Sequence, residues 1–239
     1  MNIFVEKFIQ DFIVGDRWKF ITKGLGVTLL VTALALIFGT LIGLFIGIVR
    51  CAHDQQSPVG MRGIKGAALK LLNLFCKLYV TVIRGTPALV QLLIMYFVIM
   101  VSAKSKVTVA VVTFSINSGA YVAEIIRGAI MSVDKGQMEA GRSLGLNYVQ
   151  TMTFVVIPQA LKSCLPALVN ELITLLKETS ICGYIGLNEL TRGGDIIRGT
   201  TFDALLPLFG VAIIYLSLVL IISYFMSLLE RRLRKSDRR

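Results

Sequence analysis

Glu124 and Arg127 stand three residues apart inside one apolar stretch, and Asn170 and Glu171 stand together inside another. Residues three apart share a helix face, so Glu124 and Arg127 can pair. Charged side chains at membrane depth are costly and face either each other or a water-filled cavity. The spacing therefore fits a solute path and a structural ion pair equally. Covalent chemistry has little to work with. His53 is the single histidine of the chain and lies in a basic loop, so neither a His-centred metal site nor a Ser-His-Asp triad is expected from one chain. No G-x-x-x-x-G-K-[ST] loop is present to cradle nucleotide phosphates, and the chain is not expected to hydrolyse ATP alone. Cys51, Cys76, Cys164 and Cys182 stand singly without CxxC spacing, which points to buried structural thiols rather than a disulfide or zinc framework.

The elements that must position these groups follow from composition. The chain has 239 residues, 55% of them hydrophobic and 16% charged, with a mean hydropathy of +0.77. Those values describe a membrane protein. The net charge of +11 sits between and after the apolar runs, where it reads as a topology signal rather than a nucleic-acid surface. Five helical spans are expected at about 25–49, 86–102, 107–130, 155–176 and 204–228. The second is assigned by splitting the long run Leu71 to Val101 at Arg84, Gly85 and Pro87. A helix near the interface then ends at about Ile83, and the span begins near Pro87. Residues 1–23, with Phe4, Phe8, Phe12, Ile9 and Ile13 at helical spacing among charges, read as an external interfacial amphipathic segment. Five spans put the termini on opposite sides. The basic tail at 230–239, which ends in "RRLRKSDRR" after Glu230, places the C-terminus in the cytoplasm and the N-terminus outside. The loop with Arg50, Arg62, Lys65 and Lys70 then lies inside, as does the one with Lys135 and Arg142. No internal repeat divides residues 24–229, which read as one membrane domain. Gly39, Gly43 and Gly47 form a smooth helix face for close packing, inside the subunit or against a second one.

Between the third and fourth spans, "SVDKGQMEAGRSLGLNYVQTMTFVVIPQAL" contains a short helix over Gln137 to Leu144. Gly145 stops it, Asn147 caps the next helix, and Pro158 marks a break or kink. Ala140, Gly141 and Ser143 leave one side of the short helix bare. Such a helix can dock into a groove of another protein or lie on the membrane surface.

The motif Glu139-Ala140-Gly141, with Gly145 four residues after Gly141 and "VIPQAL" following, resembles the EAA loop of ABC importer permeases. Gly141 stands where the second Ala is usual, a change that weakens a helix by about 1 kcal/mol. "VIRGTPALVQL", "SINSGAYVAEIIRGAI" and "PALVNELITLLKETSI" are similar to segments of the polar amino acid uptake branch, the His/Glu/Gln/Arg type. The resemblance covers roughly residues 20 to 229.

It implies an all-α type I importer fold with a coupling loop at about 133–154. It also implies two permease subunits, of the same or a homologous chain, two cytoplasmic ATPase subunits and an external solute-binding protein, in a bacterial inner membrane. No cofactor would be bound by this chain; ATP and Mg would be used by the partner ATPase. The coupling role carries over to Glu139, Ala140, Gly141 and Gly145. The substrate path would draw on Arg84, Thr86, Gln91, Ser118, Tyr121, Glu124, Arg127, Asn170 and Glu171. Glu124 or Glu171 would meet an ammonium group; hydroxyls, Arg84 or the amides around Gly85 and Thr86 would meet a carboxylate. Lys177, Glu178, Thr179 and Ser180 fit a gate or an external docking surface, or an ordinary turn. A secondary transporter or channel, and a permease for cystine or another amino-acid-like solute, are the alternatives.

Overall fold

The computed structural model describes residues 3–56 and 64–236, and every regular element among them is helical. Arg62 and the last tail residues, 237–239, lie outside the described residues. A short helix α1, Ile3–Phe8, runs into a π-helical turn at Ile9–Ile13 and a 3-10 turn at Val14–Asp16. Gly15 there has φ +67°, a left-handed conformation that ends the helix. α2 then runs from Trp18 to Gln56, starting inside the stretch assigned to the N-terminal segment and continuing six residues past Arg50. It is followed by α3 (Ile64–Arg84), α4 (Ala88–Ile94), α5 (Lys106–Met131) and α6 (Lys135–Ser143). The rest are α7 (Tyr148–Thr151), α8 (Ile157–Glu178), α9 (Leu190–Thr201) and α10 (Leu205–Ser236).

Among the described residues, five helical stretches are long and apolar enough to cross a membrane: Trp18–Gln55, Gly66–Arg84, Lys106–Met131, Tyr148–Ile185 and Leu205–Arg232. Four of them coincide with expected spans. The second corrects the sequence reading. Beyond Pro87 the helix is only Ala88–Ile99, including its π-helical end at Met95–Ile99. At about 1.5 Å per residue it reaches about 18 Å, short of the roughly 30 Å hydrocarbon core. α3, read from sequence as interfacial, is the element with spanning length. The boundary at Pro87 is where it was expected: Pro87 has ψ 136° and α4 begins at the next residue.

Packing divides the chain into two compact units. The first comprises Met1–Leu36, Pro87–Phe114 and Leu172–Ser227. Its core gathers Val31, Ala35, Leu92, Phe114, Leu175 and Cys182. A second cluster, Ile21, Leu190, Ile197 and Val211, docks α9. The glycines of α9 make that docking possible. A methyl built on Gly193 would stand 2.6 Å from the Phe20 carbonyl oxygen, and one on Gly194 would stand 2.6 Å from Val211 Cγ2. Glu189 caps α9, accepting from the amides of Thr191 and Arg192 at 2.7 Å each, and the Tyr215 hydroxyl lies at 3.3 Å. Its side chain is sealed from solvent, and burial pushes its carboxyl up against the lowering effect of those donors. On the exposed face of α9, hydrogen bonding from Arg198 holds the Asp195 carboxyl below the usual range, helped by Arg192. Lys7 does the same for Asp203 across a 3.1 Å ion pair that ties α1 to the start of α10.

The second unit comprises Ile37–Thr86, Ser115–Glu171 and Leu228–Arg239. Here the glycine face of α2 meets α5 of the same chain. A methyl on Gly39 would lie 2.9 Å from Ser118 Cβ, one on Gly43 2.6 Å from Val122, and one on Gly47 3.1 Å from Ile126. The every-fourth-residue glycines are thus consumed inside the subunit. Tyr79 of α3 donates to the Ile116 carbonyl at 2.5 Å, and Val80 packs with Ala120 and Ala123.

Candidate functional site

Two constellations in the second unit concentrate the candidate residues. The first is the loop built on α6. Asp134 caps the helix, its carboxylate accepting from the Gly136 amide at 2.6 Å. The helix covers Lys135–Ser143, against an expectation of Gln137 to Leu144. Gly145 ends it at φ +83°, while the Leu146 amide reaches back to the Gly141 carbonyl at 3.1 Å. That six-to-one bond is a Schellman stop, which favours glycine at the left-handed position. Asn147 then caps α7 through a capping box with Gln150, both bonds at 2.9 Å. Pro158 follows a π-helical turn at Met152–Val156, where the ladder shifts ahead of the missing amide.

The small residue at 141 has a local cause. Gly141 is buried, and a methyl there would stand 2.5 Å from Thr151 Cγ2. Thr151 is itself fully buried and bonds the Asn147 carbonyl at 3.0 Å, so it cannot swing away cheaply. α6 is also held by Met138, which packs on the cluster containing Val156 and Ala160, and by Gln137, which accepts from Gln159 at 3.2 Å. Glu139 and Ala140 are exposed, and Leu144 is 82% exposed at the helix end. The loop is therefore firmly attached on one side and offers a bare face with an apolar tip on the other.

The second constellation is ionic. Glu124 pairs with Arg127 at 3.1 Å, the i,i+3 pair that the spacing allows, and also contacts Arg50. Arg127 reaches Asp54 at 3.3 Å, and the Asp54 carboxylate lies 3.5 Å from the His53 ring. Arg84 stands 3.9 Å from Glu124 and 5.3 Å from the centre of the Tyr121 ring. Arg50, read from the sequence as a loop residue, belongs with His53 and Asp54 to the last turns of α2 and to this lattice. Continuing the helix past Arg50 sets Arg50 and Asp54 four residues apart on one face, a signal the sequence contained.

The other candidates are not gathered there. Ser118 is fully buried behind Gly39. Thr86 turns its hydroxyl back to the Val82 carbonyl at 2.9 Å. Asn170 and Glu171 lie on α8, Glu171 buried. Gln91 belongs to the first unit, as do Lys177, Glu178, Thr179 and Ser180. Of these Thr179 is buried, with its hydroxyl on the Leu176 carbonyl at 2.8 Å, and begins a 3-10 turn that runs to Ile185.

Residues 66–235 match the family described as binding-protein-dependent transport system inner membrane component. A probable amino-acid ABC transporter permease protein of Bacillus subtilis (strain 168), YckA, is 39% identical over 91% of this chain and 90% of its own length. The glutamine transport system permease protein GlnP of Escherichia coli (strain K12) is 38% identical, with 89% and 92% covered. A crystal structure of an amino acid ABC transporter with histidines superposes with a TM-score of 0.78 at 42% identity, over 90% of this chain and 94% of that one. An inward-facing methionine ABC transporter, MetNI, shares the fold at 22% identity, with a TM-score of 0.76 over 90% of this chain and 97% of that one.

Proposed function

The chain belongs to the binding-protein-dependent transport system inner membrane components and is a permease subunit of an ABC importer, and from that premise we propose that it carries a polar amino acid into a bacterial cell. The named substrates of its relatives, amino acids and glutamine, support that class. Two permease subunits form the path in the bacterial inner membrane, an external solute-binding protein delivers the solute, and two cytoplasmic ATPase subunits supply the work. ATP and Mg are used by those subunits, and this chain binds no cofactor. Its C-terminus and α6 face the cytoplasm, its N-terminus the outside.

The observation that carries the reading is the construction of α6. It is capped at both ends, bare on its outward face, and fixed through Gly141, Met138 and Gln137 to α7 and α8. A push on the outward face is passed to α8 through packed side chains rather than absorbed by a loose loop. Glu139, Ala140, Gly141 and Gly145 form this coupling element. Arg84, Tyr121, Glu124 and Arg127 belong to the solute path with Thr86, Gln91, Ser118, Asn170 and Glu171, and the segment from Lys177 to Ser180 gates its outer end.

Gly145→Val tests the proposal, because a β-branched residue strains the left-handed stop. In proteoliposomes holding the whole importer, uptake should fall sharply while the five spans stay folded by circular dichroism. Unchanged uptake together with unchanged co-purification of the ATPase would remove the coupling assignment.

A further inference from the structure

Where α1, the end of α9 and the start of α10 meet in the first unit, polarity is inside out. In the segment before α2, Asp11 is 1% exposed, and its Oδ2 finds no hydrogen-bond donor among the described residues. Phe4, Phe8 and Ile13 of the same segment are 60%, 45% and 53% exposed. A helix lying on a protein in water does the reverse, covering its apolar face and solvating its carboxylates. The inversion recurs at the end of α9. Phe202 is 94% exposed and holds φ 57°, a left-handed conformation that is costly for a residue with a Cβ. Glycine or asparagine closes a helix this way at less strain. A strained backbone and a bare aromatic ring at one position both point to a contact beyond this chain.

The two apolar surfaces are neighbours. Lys7 of α1 pairs at 3.1 Å with Asp203, the residue after Phe202, and a methyl built on Gly210 would stand 3.5 Å from Phe12 Cζ. Both surfaces lie where spanning stretches begin, Trp18 opening one and Leu205 the other, and Leu205 is itself exposed. Charge does not mark the place. From Phe4 to Lys19 the acids Glu6, Asp11 and Asp16 balance the bases Lys7, Arg17 and Lys19, and on α9 both Arg192 and Arg198 pair with Asp195. An uncharged apolar surface at the mouth of two spans meets the boundary between lipid headgroups and acyl chains, which favours exposed aromatic rings. We propose that α1 and Phe202 are seated together in that boundary. α1 lies flat with its apolar face about 5–10 Å deep, Phe202 dips in beside it, and the Lys7–Asp203 pair clamps the two. The partner is a phospholipid surface, met through its apolar depth rather than its charge, and the seat sets the level of α9 in the membrane whatever solute is carried.

Spin labels on the whole permease–ATPase complex in phosphatidylcholine nanodiscs test the seat. Single labels are placed at Phe4→Cys, Phe8→Cys and Phe202→Cys, and the complex without an introduced cysteine supplies the background, since the four native cysteines are buried. Co-purification of the ATPase checks that each variant is folded, and the two α1 positions guard against the loss of either one. Collisions with oxygen, which concentrates in lipid, should exceed those with a water-soluble nickel chelate several-fold at all three positions. The depth should stay the same when phosphatidylglycerol is mixed in, and Lys7→Gln should raise the mobility of the Phe8 label. Collisions dominated by the chelate at Phe202 or along α1 would overturn the proposal, because that surface would then face water and be open to a soluble protein. Protection from both reagents would overturn it as well, by showing protein over the surface. So would a label that enters lipid only when phosphatidylglycerol is present, since charge would then do the recognition. An unchanged Phe8 label in Lys7→Gln would remove the clamp.

Discussion

α6 and α9 are both short helices inserted between long ones, and both are built with the same two devices. Each has an acidic cap, Asp134 or Glu189, and each brings a glycine against a neighbour too close for a methyl group. Their surroundings differ. Glu189 is sealed inside its unit, and Gly193 presses on the backbone of the segment that opens α2. Asp134 is exposed, and α6 keeps Glu139, Ala140 and Leu144 open to solvent. The same local chemistry thus closes a wall in one place and displays a face in the other. What separates them is how many sides of the helix the rest of the chain occupies.

If that comparison is right, substitution at the α9 glycine should attack the fold, and substitution in α6 should attack the work the helix transmits. Gly193→Val is the harshest case. Its Cβ would meet the Phe20 carbonyl at 2.6 Å, and a backbone oxygen cannot rotate away as a side chain can. Overpacking of this kind costs about 3 kcal/mol or more. Thermal unfolding in detergent should drop by many degrees and expression should fall. A melting curve that matches the wild type would show that α9 is not wedged in place.

Gly141→Ala sets two effects of similar size against each other. Alanine favours a helix by about 1 kcal/mol over glycine, while forcing a methyl against buried Thr151 costs about 1–3 kcal/mol. The clash should win, because Thr151 is β-branched, buried and hydrogen-bonded to Asn147. The expected outcome is lower uptake per ATP hydrolysed, with global melting almost unchanged. Thr151→Ala in the same chain removes the obstacle and should restore the ratio, a coupling that a double-mutant cycle reads directly. If the double variant transports no better than Gly141→Ala alone, the contact does not set the position of α6.

The glycine at 141 is visible in the sequence as a departure, and its reason is not, because Thr151 lies ten residues on and meets it only after Gly145 and Asn147 turn the chain. Those two turn residues are legible, since a left-handed stop and an amide cap are local needs. Four spans are legible from length and hydropathy. The second is not, because the more apolar part of the run Leu71 to Val101, Ala88 to Val101, is cut short by a π-helical end at Met95–Ile99, whereas α3 carries Lys70 and Lys77 and reads as interfacial. The Glu124–Arg127 pair is open to reading at helical spacing. Arg50 and Asp54 join it only when the first helix is carried past Arg50, and hydropathy alone stops that helix where the charges begin.

The smallest effect concerns the caps themselves. Glu189 is buried with its carboxyl pushed up, so its folded value lies above its unfolded one. Its contribution to stability is then fully present below the ordinary glutamate value of about 4.3 and is lost as pH rises through the raised folded value. Glu189→Gln keeps an acceptor oxygen for the amides of Thr191 or Arg192 and removes that titration. Relative to the wild type, the variant should gain stability as pH is raised above the ordinary glutamate value. Melting temperatures of wild type and variant across pH decide the matter. A difference between them that stays constant with pH would mean that the Glu189 carboxyl is not enclosed, and the contrast between a helix enclosed and a helix displayed would fail at its most local point.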